Sequence, residues 1–472
     1  RIFSIILISL FFHNLNAQKK IFTGPAKDNI SEIISVVNKE NGEVALLNFH
    51  TNGIIVDLFN SKFEIIKTII SEGLPSKFES LIGYQFKDDK LSILMNTSNN
   101  RSYAFALFDF KNGVASTQEL EFKLKKEFYL ASFSRDNLIF MITASKKDSQ
   151  MNIYKFDGYK NDPSKSELII PENTFIDRFD RSIDFYDALY GGKREHLEAP
   201  VIINRDLPTT IEETKSPLKL YSTKDGFKLS IDSGIECTYV IDGSLKDGRL
   251  SVKRFDYDKP EKKFAYRMKT NSFIFDDKLF QFSLNSNTAT LKIIDLISGE
   301  VKKELLINRE DDLAIANTPI IQLGGEFKNY RELETTNQFF RKSLQGAHLG
   351  LSVIKRNGNF EITFGNVLEI ENGSYYIPYS GRGALGGMFA GGLFTLTSEL
   401  IDYRKTKSVY FTGLFTSEFE HIKGEVTKNT LDEVSEFSDD LNIGAETLFQ
   451  LEDNYYYGYL DKSSDSFFIY EF

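Results

Sequence analysis

An all-β fold assembled from repeated four-stranded units is what this sequence predicts, and three observations predict it. A turn rich in Asp, Asn and Gly leads repeatedly into alternating apolar residues, a second hairpin follows most of these strands, and the two chain ends complement each other. The chain has 472 residues with 41% hydrophobic content, enough to bury a large core.

The first unit recurs as ENGEVALLNF from Glu40, KDDKLSILMN from Lys87, RDNLIFMITA from Arg135, KDGFKLSIDS from Lys224, DDKLFQFSLN from Asp276, ENGSYYIPYS from Glu371 and EDNYYYGYLD from Glu452. Turns of this composition join antiparallel strands, because Asp, Asn and Gly tolerate the left-handed backbone that matches strand twist. The second hairpins read GIIVDLFNSKFEIIKTI, YAFALFDFKNGVASTQELEF, MNIYKFDGYKNDPSKSELII, LSVKRFDYDKPEKKFAY and TLKIIDLISGEVKKELLI. Four strands at a period of roughly 40 to 50 residues make the blade of a β-propeller. The predicted fold class is therefore all-β, a seven- or eight-bladed β-propeller with one or two helical insertions. The segment LGLSVIKRNGNFEITFGNVLEI, residues 350–370, reads either as a further half-blade or as part of an insertion. At the C-terminus, DNYYYGYLDKSSDSFFIYEF supplies two or three strands, and the early QKKIFTGP is expected to supply the missing one and remove an open sheet edge.

Two segments break the strand rhythm. Residues 173–190, NTFIDRFDRSIDFYDALY, carry Ile176, Phe179, Ile183, Tyr186 and Leu189 at helical spacing and predict a helix ending at Gly191-Gly192. Residues 329–345, NYRELETTNQFFRKSLQ, predict a second helix stopped by Gly346. On the first of these, Asp177, Asp180, Asp184 and Asp187 would share one face, which reads as solvated because Arg178 and Arg181 lie beside it.

Residues 1–17, RIFSIILISLFFHNLNA, place an Arg before a short apolar run and a small residue at the end, the pattern of a signal peptide. Gln18 rather than Cys follows, so no lipid anchor is expected, and nothing later reaches transmembrane length. The domain reading is thus a signal peptide over 1–17 and a propeller over 18–472, with insertions near 171–215, 309–349 and 380–406. The net charge of −10 argues against nucleic acid as a partner. Cys237 is the sole cysteine and reads as a buried thiol in an alternating strand. His50, His196, His348 and His421 have no metal-ligand spacing, and no nucleophile elbow or P-loop occurs. Neither a catalytic residue nor a cofactor or metal site is assigned.

The stretch SGRGALGGMFAGGLF, residues 380–394, contains Gly381-x-Gly383-x-x-Gly386, with Asp402 about 20 residues on. A dinucleotide fingerprint needs a helix after the glycines, and Gly391, Gly392 and two threonines oppose one. The stretch reads instead as an apolar insertion between two strands, either tucked against its own propeller or presented to a partner. Its candidate partner-binding residues are Arg382, Leu385, Met388, Phe389, Leu393 and Phe394.

The repeated units, the LNAQ cleavage region and the Lys, Asn, Ile and Phe bias resemble exported β-propeller envelope proteins of Bacteroidota. Within that group the chain is similar to the plug subunit of the type 9 secretion translocon, on architecture and composition rather than on any one motif. The resemblance implies a periplasmic protein-interaction subunit whose partner is an outer-membrane barrel. The alternative is a propeller enzyme or binding protein acting on a glycan or small ligand through carboxylates in the central channel.

Overall fold

The structure is a computed structural model. It describes the chain except residues 1–17, 52, 73–76, 79, 159–161, 178, 191–198, 204–208, 235, 260–267, 324–329, 346–347 and 368–407.

Strand β1 (Lys19–Pro25) stands apart in sequence from its partners. The first sheet is β2 (Ile30–Asn38), β3 (Glu43–His50), β4 (Gly53–Phe59) and β5 (Ile65–Glu72). The second is β6 (Ser80–Lys87), β7 (Lys90–Asn96), β8 (Tyr103–Asp109) and β9 (Val114–Glu119). The third is β10 (Glu127–Arg135), β11 (Leu138–Ser145), β12 (Gln150–Phe156) and β13 (Ser164–Ile169). A small hairpin, β14 (Phe175–Ile176) with β15 (Ser182–Ile183), and helix α1 (Phe185–Tyr190) come next. In the fourth sheet, β16 (Val201–Ile203) precedes helix α2 (Ile211–Thr214) and runs parallel to β17 (Leu218–Thr223), followed by β18 (Gly226–Ile231), β19 (Cys237–Ser244) and β20 (Leu250–Asp256). The fifth is β21 (Lys269–Phe275), β22 (Lys278–Leu284), β23 (Thr288–Asp295) and β24 (Val301–Asn308).

The sixth sheet departs from the plan. Its outer strands, β25 (Ile320–Leu323) and β26 (Arg331–Leu333), come first, then helix α3 (Thr336–Gln345), and then β27 (His348–Arg356), β28 (Asn359–Val367) and β29 (Ser408–Phe415), in the order β26-β25-β29-β28-β27. Helix α4 (Thr430–Ser438) leads into the seventh, made of β30 (Ile443–Leu451), β31 (Asn454–Asp461) and β32 (Ser466–Glu471). Strand β1 completes it by pairing antiparallel with β32, from Lys19 opposite Glu471 to Pro25 opposite Ser466. The described residues thus form seven sheets of four or five strands, and the fold is a β-propeller closed by its first strand.

Burial grades along each sheet. The middle strands β3, β7 and β11 are buried almost throughout, whereas the outermost β9, β13 and β24 alternate or lie largely exposed. Inner strands therefore read as continuous apolar runs, since both faces pack on neighbouring sheets. Innermost strands touch across the joints, β2 against β30, β6 against β10 and β21 against β27. Tight turns join the first and second strands of several sheets, with left-handed backbone at Asp88-Asp89, Asp136-Asn137 and Asn357-Gly358. Those turns fall at one end of the ring; the connections between sheets, and from second to third strand, fall at the other.

Several expectations need correction. The helix expected over 173–190 is a hairpin followed by the six residues of α1. Asp177 accepts from the Phe179 and Arg181 amides, and Asp180 is left-handed at φ 57°, so a turn interrupts what looked like helical spacing. The four aspartates consequently share no helix face; Asp177 pairs with Arg181 at 2.6 Å, and the side chain of Asp184 accepts from the Asp187 amide. The second expected helix starts at Thr336, after β26, rather than at 329. LSVKRFD is not the start of a hairpin but the last strand of its sheet, β20, paired with β19. Residues 350–367 form the two inner strands of the sixth sheet, half of a blade rather than part of an insertion. Helices α2 and α4 were not anticipated.

Candidate functional site

Residues Arg382, Leu385, Met388, Phe389, Leu393 and Phe394, with Gly381, Gly383, Gly386 and Asp402, lie outside the described residues. What is described is their root. Strand β28 ends at Val367 and β29 begins at Ser408, and these two residues are paired neighbours. The chain on either side of 368–407 therefore meets at a single point of the sixth sheet, at the end of the ring that carries the long connections.

Two helices, α2 and α3, meet the sheet around that point, and a third, α4, lies nearby. Helix α2 is one turn, capped by Thr210, whose hydroxyl accepts from the Glu213 amide. It rests on β27 and β28 where Gly350 pairs with Gly365. A Cβ on Gly350 would stand 2.6 Å from Ile211 Cγ2 and 2.7 Å from its carbonyl oxygen, so the flat glycine pair is what lets the helix backbone approach. Asn271 on β21 fastens the helix by donating to Thr214 O at 2.9 Å and to Leu349 O at 3.0 Å.

Helix α3 packs on the opposite face. Asn366 donates to Ser343 at 2.8 Å, and Phe339 meets Phe411, which stacks on Phe364 at 5.0 Å. This face joins the core shared with the fifth sheet, through Leu349, Leu351, Phe360 and Ile362. Between the start of α3 and residues 309–320 lies a cleft of about 600 Å³, lined by Arg309, Glu310, Asp312, Glu334, Asn337 and Arg341 among others. Arg309 spans its wall, donating to Ser286 O and Asn337 Oδ1. The cleft lies beside the outer strands β25 and β26, away from the central channel in which a glycan site was considered.

Helix α4 carries a reciprocal cap, with Asn429 accepting from the Asp432 amide and Asp432 from that of Asn429. Near it, burial raises the Tyr410 hydroxyl above its ordinary value, and Asp432 and Glu212 add to the effect. Burial also raises Glu361, against the pull of Arg356 and with a push from Asp432. Among the described residues no group of three or more His, Cys, Asp or Glu side chains is placed to hold a metal ion, and no helix is long and apolar enough to cross a membrane.

Of the remaining candidates, Cys237 is buried on β19, and burial pushes its thiol up to about 11, so it is an inert core thiol. His421 is bonded to Asn317 at 2.9 Å, and His196 lies outside the described residues. Sequence reasoning missed α4, although N-T-L-D at Asn429 to Asp432 is a legible cap. It also missed the pairing of Gly350 with Gly365, for which no local signal exists.

No family model matches the chain, and no curated protein does. Among solved structures, a propeller titled Dos1 is similar over 96% of this chain and 95% of its own, at 8% identity and a TM-score of 0.29. A mutant of the Synechocystis apocarotenoid oxygenase matches at 8% identity and TM-score 0.29, over 60% of this chain and 62% of that one. The dihydro-heme d1 dehydrogenase NirN matches at 11% identity and TM-score 0.28, over 60% and 50%. The chain thus spans under two thirds of the oxygenase and half of the dehydrogenase. Likenesses this distant say nothing of what the chain binds or catalyses, and the fold rests on its own hydrogen-bonded sheets.

Proposed function

We propose that this chain is a noncatalytic propeller that binds a protein partner, with the sixth sheet as the platform and the 380–406 stretch as the contact. One observation supports this reading above others: elements from three separate insertions, α2, α3 and the root of 368–407, gather on one sheet at one end of the ring. Insertions scattered for want of selection would fall on several sheets. Here a glycine pair and an asparagine clamp hold the surroundings of the root rigidly, which suits a loop that presents apolar side chains in a fixed place. The location proposed is the periplasm, and the partner an outer-membrane barrel, whose rim offers apolar and aromatic surface.

The test is purification of the tagged chain from its native envelope beside a variant lacking residues 382–398, with mass spectrometry of what comes with each. A stoichiometric outer-membrane partner that is lost with the deletion is the expected result. A lone chain in both preparations overturns the reading and turns attention to ligand binding.

A further inference from the structure

Neighbouring sheets share apolar clusters at almost every joint. Residues of the first and second sheets form one, the second and third another, the third and fourth another; a large one spans the fourth to sixth, and one joins the seventh to the first. The joint between sixth and seventh differs. Among the described residues no apolar cluster spans it: the clustered residues of the sixth sheet, such as Leu351, Phe364 and Phe411, belong with its other face, while α4 clusters only with the seventh, through Leu431, Val434, Leu448, Tyr457 and Tyr459. The opposite face of the sixth sheet carries a row of hydroxyls, Ser352, Thr363 and Thr412, with Thr363 and Thr412 bonded at 2.9 Å, next to the row of Ile354, Glu361 and Leu414.

The chain crossing this joint changes allegiance along its length. Residues 416–424 travel with the sixth sheet, since Phe419 packs between Phe280 and Phe360, and Asn317 donates to the carbonyls of Ile422 and Gly424. From Thr430 the chain travels with the seventh. In between, Arg356 of β27 donates to Thr427 O at 3.0 Å, Thr427 Oγ1 at 2.7 Å and Lys428 O at 3.0 Å, while its other nitrogen holds Glu361 at 3.0 Å. We propose that the ring opens at the joint between its sixth and seventh sheets, with residues 425–429 as the hinge and Arg356 as the clasp. Polar contacts exchange for water at little net cost, whereas separating any other pair breaks an apolar cluster that the two sheets share. Opening would uncover the hydroxyl row beside the root of the insertion, and it does not depend on the identity of any partner.

Single thiols test this in the full chain carrying Cys237→Ser. Ser352→Cys places a thiol on the face toward α4, and Val353→Cys places one on the opposite face of the same strand, in the core shared with the fifth sheet. Labelling under native conditions is expected to be at least about tenfold faster at position 352. Adding Arg356→Ala should quicken labelling at 352 roughly tenfold more and leave 353 unchanged. Equal rates at the two positions, or equal acceleration of both by Arg356→Ala, would overturn the proposal. The first comparison needs no change at the clasp, so it stands even if that variant folds poorly.

Discussion

Lys219 is wholly buried on β17, its ammonium 3.4 Å from the equally buried Asp232, which also accepts from Thr238 and Ser272 at 2.7 Å each. Burial lowers the Lys219 affinity for its proton and Asp232 opposes that. Removing one partner strands a charge in the interior, so Lys219→Met is expected to cost about 3–5 kcal/mol in urea unfolding, and adding Asp232→Asn should recover much of it. Glu32 on β2 makes the opposite case, for its buried Oε2 has no partner among the described residues and burial raises its carboxyl to about 7. The folded state keeps that proton where the unfolded chain, titrating near 4.3, has lost it. Its contribution therefore becomes steadily less favourable as pH rises from about 4.5 to about 7. Glu32→Gln should match the parent at pH 4 and exceed its stability at pH 8; a variant no more stable at pH 8 would contradict this assignment.

At the level of elements, what was legible was what is local. The hairpin turns at Asp136-Asn137 and Asn357-Gly358 carry their backbone preference in their own side chains. The 173–190 segment misled because two short strands separated by five residues happen to mimic a 3.6-residue period. The seat of helix α2 was not legible, since Gly350 and Gly365 lie over a hundred positions away in sequence, although its Thr210-x-x-Glu213 start is a local signal. That seat gives a direct test. Gly350→Ala must displace Ile211, whose carbonyl cannot yield as a side-chain tip would, and about 1–3 kcal/mol of destabilisation is expected, with faster amide exchange over 211–215. Asn429→Ala, which removes half of the reciprocal cap of α4, should cost about 0.5–2 kcal/mol.

For the whole molecule, closure by the first strand was readable because the last unit lacked a strand and the chain began with a spare one, yet the unusual strand order of the sixth sheet was not. Deleting residues 18–25 leaves β32 with a free edge beside the exposed flank of the seventh sheet. The expected outcome is self-association in light scattering together with a lower unfolding midpoint; a monomer of unchanged midpoint would mean that β1 is dispensable. Closure also bears on how the chain is made. The hydroxyl of Thr447 reaches Ser35, 412 residues earlier, and β1 has no partner until still later residues exist. At the ~5–20 residues per second of synthesis, the leading segment waits roughly 20–80 s for the trailing one. During that interval β1 and β2 stand without their partners from the seventh sheet, so the order of synthesis leaves the ring's closing seam to form last.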